Sequence, residues 1–155
     1  MNVATMESWE NDHDLLGLAR DLIAVEITEG VLLNDSPIVR DRLDLLKRVG
    51  VQFTIDDFGI GYSSLSYLKT FKVDFLKIDK LFVKDMMQAA DSGIFAETII
   101  VMAHKLGLKV IAEGVETVEQ RDRLKAMECD YAQGFLFSKA VASDCFTEML
   151  KVGRI

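Results

Sequence analysis

Short β-branched runs alternate with amphipathic segments along this chain. Five runs read as strands: LIAVEIT, VQFTID, VDFLKID, LKVIAE and YAQGFLF. Between them, apolar residues recur at helical spacing. SPIVRDRLDLLKRVG places Ser36 as an N-cap, Pro37 at the first helical position and Gly50 as a stop. SSLSYLKTF predicts a short helix and DSGIFAETIIVMAHKLG a longer one that ends at Gly107. TVEQRDRLKAMEC opens with a capping box, Thr117 followed three residues on by Gln120, and SDCFTEMLKVG closes the chain as a helix.

Strand and helix in alternation, with strands spaced by roughly 25 to 35 residues, predict an α/β fold with a parallel sheet. Alternation within the strands adds a direction. In VQFTID, Val51, Phe53 and Ile55 share one face and Gln52, Thr54 and Asp56 the other. Glu26 opposes Ile23, Val25 and Ile27; Lys77 opposes Leu76 and Ile78; Glu113 opposes Val110 and Ala112. Each strand thus sends an ionisable group from its C-terminal part away from the aliphatic packing face, which is how a β/α barrel builds a site above its strand ends. An open doubly wound sheet would also gather its strand ends along one edge, less tightly. A full barrel needs eight strands and roughly 250 residues, so the expectation is an open sheet or a partial TIM-type (β/α)8 barrel of five parallel strands with flanking helices. Residues 1–19 are expected to form an irregular segment or a remnant helix, and 20–155 the truncated β/α domain.

Composition narrows the function. Half of the 155 residues are apolar and 28% charged, enough to bury the core of one globular domain. The formal charge of −7 leaves no basic excess for sequence-independent binding to DNA or an anionic membrane, so an anionic substrate needs local help from a metal or a lysine. The longest apolar stretch is interrupted by Glu97 and is too short to span a bilayer, and the acidic start lacks the features of a signal peptide. Cys129 and Cys145 form neither a disulfide framework nor a zinc pattern, which points to a reducing cytoplasm.

The candidate constellation is Glu26, Asp56, Asp57, Lys77, Glu113 and Gln133, with Glu29 and Glu116 three residues beyond two of them. Carboxylates with one lysine and no thiol or imidazole are a hard-oxygen set, suited to Mg²⁺ or Mn²⁺ rather than zinc. Asp56 and Asp57 side by side repel unless solvated or bridged by a cation, and a pair of ions there suits phosphodiester hydrolysis. Taken singly, each piece has a plainer reading: Asp-Asp before glycine as a strand-end turn, a strand-end Lys or Glu as a solvated rim group, and Gln133 beside Gly134 as a turn residue.

Jointly, VEITEG, TIDDFGIGYSSLSYLKTFKVDFLKIDKLFV, VIAEGVE and YAQGFLFSKA resemble, in order and spacing, the EAL family of bacterial cyclic-di-GMP phosphodiesterases over roughly residues 20–150. The resemblance implies a β/α barrel that hydrolyses cyclic-di-GMP to 5′-pGpG with Mg²⁺ or Mn²⁺. It implies Glu26, Asp56 and Asp57 as metal ligands, Lys77 as the holder of the water, and Glu113 as general base or second-metal residue. Gln133 would act near the metal-bound water and phosphate. Glu29, Glu116, Gly59 and Gly61 would be supports, the loop DFGIGYSS coupling the site to a homodimer interface. The chain departs from the family pattern in lacking the Glu-Ala-Leu segment, Glu7 and Glu10 having no such context. It also lacks the upstream Asn ligand, which neither Asn2 nor Asn11 replaces; Ile60 and Ala140 are smaller departures. Weak or absent catalysis is therefore expected of the chain alone, together with self-association as a dimer or larger species. Two other readings stay open: a non-catalytic EAL-like module that binds cyclic-di-GMP or a protein, and a receiver-type fold holding one Mg²⁺ on the Asp pair.

Overall fold

A computed structural model of the chain describes residues 24–28, 30, 36–59, 68, 71–88 and 93–153. Among them are five strands, β1 (Ala24–Thr28), β2 (Gln52–Phe58), β3 (Phe75–Ile78), β4 (Lys109–Ala112) and β5 (Tyr131–Ala132). The helices described are α1 (Pro37–Arg48), α2 (Lys80–Asp85), α3 (Ile94–Lys105), α4 (Val118–Ala126) and α5 (Ser143–Val152). The helix expected from SSLSYLKTF, apart from Leu68 and Phe71, and the irregular segment 1–19 lie outside the described residues.

The five strands form one sheet, every neighbouring pair parallel, in the order β1-β2-β3-β4-β5. Sequential order distinguishes the arc of a β/α barrel from a doubly wound sheet, in which strand order reverses near the middle. It therefore removes the receiver-type reading, whose order would run 2-1-3-4-5. The sheet does not close among the described residues: β1 and β5 each have one strand neighbour.

The aliphatic face expected from alternation is the core. Phe53, Ile55, Leu76, Ile78, Val110 and Ala112 are buried on it, packed with Val83 of α2, Ile100 and Ala103 of α3 and Leu124 of α4. Full burial of each large aliphatic or aromatic chain contributes about 1.5–3 kcal/mol. Helix boundaries follow local chemistry. Asp79 accepts the Leu81 N–H at 2.7 Å and starts α2, a helix not among those expected from the sequence. The Thr117/Gln120 capping box starts α4 as expected. At α1, Pro37 leads the helix, but the Ser36 side chain makes no cap bond.

One strand is shorter than expected. YAQGFLF pairs only through Tyr131 and Ala132. At Gly134 the main chain passes against Val115 so closely that a Cβ would lie 2.2 Å from the Val115 carbonyl oxygen, and the Phe137 N–H turns back to the Gly134 carbonyl at 3.1 Å. Apolar composition made this turn look like strand; the contact with Val115 ends it.

Candidate active site

One ladder irregularity and two main-chain extensions bring the polar groups together. β2 pairs with β3 through Ile55 opposite Leu76 and Phe58 opposite Ile78, so three residues of β2 span two of β3. That is a β-bulge. Leu76 and Ile78 share the core face, hence Ile55 and Phe58 do as well, and both Asp56 and Asp57 are released from it. Asp57 takes a positive φ of 56° to do this, and its N–H donates to Asp56 Oδ1 at 3.1 Å. Gly59 follows with φ 95°, its Cα side close against the Phe82 ring. Past β4, the Glu113 N–H donates to the Ile78 carbonyl at 3.0 Å; past β5, the Gln133 N–H donates to the Ala112 carbonyl at 2.8 Å. Glu113 and Gln133 are thereby anchored at the C-terminal strand ends.

Lys77, on the central strand β3, is the focus. Its Nζ lies 2.8 Å from Glu26 Oε1, 2.5 Å from Glu113 Oε1 and 3.3 Å from Asp56 Oδ1. The Gln133 amide donates to the same Glu113 oxygen at 2.7 Å. The lysine side chain is only 5% exposed, whereas Glu26 is 53% exposed, so the cation is fixed beneath carboxylates that reach solvent. Burial alone would push the ammonium pKa down. The hydrogen bonds it donates to Glu113 and Glu26 and the charges of Glu113 and Asp56 outweigh burial and hold it well above its ordinary value.

Of the residues singled out from sequence, Glu26, Asp56, Lys77, Glu113 and Gln133 form this connected cluster. Asp57 stands exposed beside it on the bulge. Glu116 is exposed at the start of α4, its N–H donating to Gln120 Oε1 at 2.7 Å. Glu29 and Gly61 lie outside the described residues. The bulge itself was not foreseen, although its signal is present: apolar Ile55 and Phe58 stand three apart in a strand whose period is two.

Three carboxylates around one ammonium leave an excess of two negative charges, and their convergence on a cation fits a hard divalent ion in chemical kind. The spacing does not complete a metal cluster: among the described residues no three acidic, His or Cys groups are gathered to hold an ion directly.

A β/α-barrel arc with acidic groups gathered around a lysine toward its C-terminal strand ends defines the class: an α/β protein with a lysine-centred acidic cluster at a barrel mouth. The EAL domain pattern matches residues 9–140, and the chain belongs to that family. It is 41% identical over 138 residues to the cyclic di-GMP phosphodiesterase NbdA of Pseudomonas aeruginosa, covering 89% of this chain and 18% of that protein. The EAL domain of Mycobacterium smegmatis DcpA superposes with a TM-score of 0.87 at 40% identity, over 96% of this chain and 66% of that one. Klebsiella pneumoniae BlrP1, solved with manganese and cyclic-di-GMP, superposes with a TM-score of 0.79 at 32% identity, over 89% of this chain and 35% of that one. The chain thus spans less than a fifth of NbdA and about two thirds of the DcpA EAL domain.

Proposed function

We propose that this chain forms the C-terminal part of a cyclic-di-GMP phosphodiesterase site that converts the cyclic dinucleotide to 5′-pGpG. The observation that supports it is the meeting of Glu26, Asp56, Glu113 and Gln133, from four different strand ends, around Lys77. An anionic phosphodiester is repelled by excess carboxylate charge, so substrate binding here needs added positive charge. Glu26, Asp56 and Asp57 would hold Mg²⁺ or Mn²⁺, in keeping with the manganese in the BlrP1 complex. Such ions supply charge neutralisation at the phosphate and activation of water. Lys77 orients the attacking water, Glu113 accepts its proton, and Gln133 holds Glu113 in place while facing the phosphate. Glu29, Glu116, Gly59 and Gly61 support the loop beside Asp57. The chain acts in the cytoplasm and self-associates, a homodimer being the simplest form.

The upstream Glu and Asn ligands are missing from the 155 residues. Loss of outer-shell partners alone weakens a metal site by about 10- to 100-fold, so turnover by this chain is expected to be weak. The test is chromatography of cyclic-di-GMP incubated with the chain and Mn²⁺. Slow formation of 5′-pGpG, reduced at least ~10-fold by Asp56→Asn, supports the reading; turnover indifferent to that substitution sinks it. Robust turnover abolished by Asp56→Asn would keep the enzyme and refute the role given to the missing ligands. The incomplete ion cluster favours a second reading, a non-catalytic module, which saturable binding of cyclic-di-GMP with Ca²⁺ and no hydrolysis with Mn²⁺ would select.

A further inference from the structure

We propose that Lys77 is the resident cation of this site: its ammonium occupies the focus that Glu26, Asp56 and Glu113 share, and a divalent ion binds only by taking those carboxylates from it. The inference rests on the metal-dependent reading above, and adds a competitor that the chain itself supplies.

An ammonium offers three N–H donors on a compact charge, and Lys77 has three carboxylates within 3.3 Å, contributed by β1, β2 and the residue after β4. Carboxylate oxygens approach Mg²⁺ or Ca²⁺ at about 2.0–2.6 Å and are shared among few partners. A set arranged around a lysine nitrogen must therefore rearrange to close on a metal, which accounts for three acidic groups converging on one point while no described trio is gathered for an ion.

Position decides which partner moves. Lys77 is on the central strand and its side chain is only 5% exposed on the face opposite Leu76 and Ile78, so its stem is enclosed. Glu26 is on the end strand β1 and is more than half exposed. The carboxylates turn from the lysine, Glu26 first; the lysine does not leave. Charge makes the exchange tolerable, because one ammonium and one divalent ion together balance three carboxylates. The ammonium thus keeps the metal-free site neutral enough to stay folded and weakens metal affinity by competing for the same oxygens.

The experiment is Mn²⁺ titration by calorimetry on the full chain, its Lys77→Met variant and its Lys77→Arg variant, with thermal unfolding in EDTA. Lys77→Met is expected to bind Mn²⁺ at least ~10-fold more tightly than the parent and to unfold at lower temperature in EDTA. Lys77→Arg, which keeps the charge, is expected to show no such gain. Mn²⁺ affinity in Lys77→Met equal to or below the parent's overturns the proposal, as does absence of binding in both. If Lys77→Met does not fold, Mg²⁺ titration of the parent labelled with ¹⁵N-lysine decides: the Lys77 ammonium resonance should move as the ion binds, and an unmoved resonance at saturation overturns it. Failure of cyclic-di-GMP hydrolysis with the Mn²⁺ result intact removes only the phosphodiesterase reading. Cyclic-di-GMP turnover with unchanged Mn²⁺ affinity removes only the lysine's role as competitor.

Discussion

Cys129 is half-buried between β4 and β5, its thiol against the Val110 and Tyr131 carbonyls. Burial pushes its pKa up to about 11, against weaker opposing contributions from backbone hydrogen bonds. Since the thiolate is the reactive form, Cys129 should be alkylated about a hundredfold more slowly than an ordinary thiol. Cys145 is exposed and within reach of the reagent. Peptide mapping after brief iodoacetamide treatment at pH 8 is expected to find Cys145 modified and Cys129 spared until urea is added; equal labelling would contradict the packing described. The folded chain holds the Cys129 proton more tightly than the unfolded chain does. Its contribution to stability is therefore present below about pH 9 and lost as pH rises through about 11. Lys77 has the same sign: its contribution is whole below about pH 10.4 and lost only as pH passes its raised value.

A repeated device ties helix, strand and turn at the opposite end of the sheet. Asp74, just before β3, accepts the Phe53 N–H of β2 at 2.7 Å and pairs with Lys47 near the end of α1. Asp130, just before β5, accepts the Val110 N–H of β4 at 2.8 Å and pairs with His104 Nε2 at 2.9 Å near the end of α3. In both cases the basic side chain stands six residues before the strand residue whose N–H is bound. A carboxylate thus satisfies a strand donor while its charge is held by the helix that precedes that strand. Asp130→Ala leaves the Val110 N–H without this acceptor and should cost about 1–3 kcal/mol in urea unfolding. A loss below about 0.5 kcal/mol would show the clip to be incidental. Burial would raise the Asp130 pKa, but the His104 and Val110 hydrogen bonds outweigh it and lower it. Its contribution is accordingly present above about pH 3.9 and lost as pH falls through the lower folded value.

Five parallel strands in sequential order leave β1 and β5 with free ladder positions among the described residues. The inner face keeps Tyr131 48% exposed, with Phe75 edge-on to it at 6.0 Å between ring centroids. Phe146, Leu150 and Val152 are exposed on α5, which buries none of its residues, and Phe135 is exposed in the turn after β5. Open edges and uncovered apolar groups favour association, against the mutual repulsion of chains with a net charge of −7. Light scattering is expected to give a dimer or larger species, more so as salt screens that repulsion. A monodisperse monomer across salt concentrations would mean that the edges are protected.

Strand alternation was readable because one face of each strand meets helices and the other does not: Val, Ile and Phe on one parity placed Glu26, Asp56, Lys77 and Glu113 on the other. Residue type likewise gave the parallel α/β class and the hard-oxygen chemistry. Local pattern misjudged YAQGFLF, because the turn at Gly134 is imposed by Val115, nearly twenty residues away. It also gave no account of the Asp56–Asp57 bulge, which exists only relative to β3, or of the paired Asp74 and Asp130 clips, whose partners lie on other elements. Strand order, and with it the choice of barrel arc over doubly wound sheet, depends on which edges meet. The closing of three carboxylates on one lysine needs distances between side chains 21 to 51 residues apart, and periodicity holds information only about neighbours within a few turns.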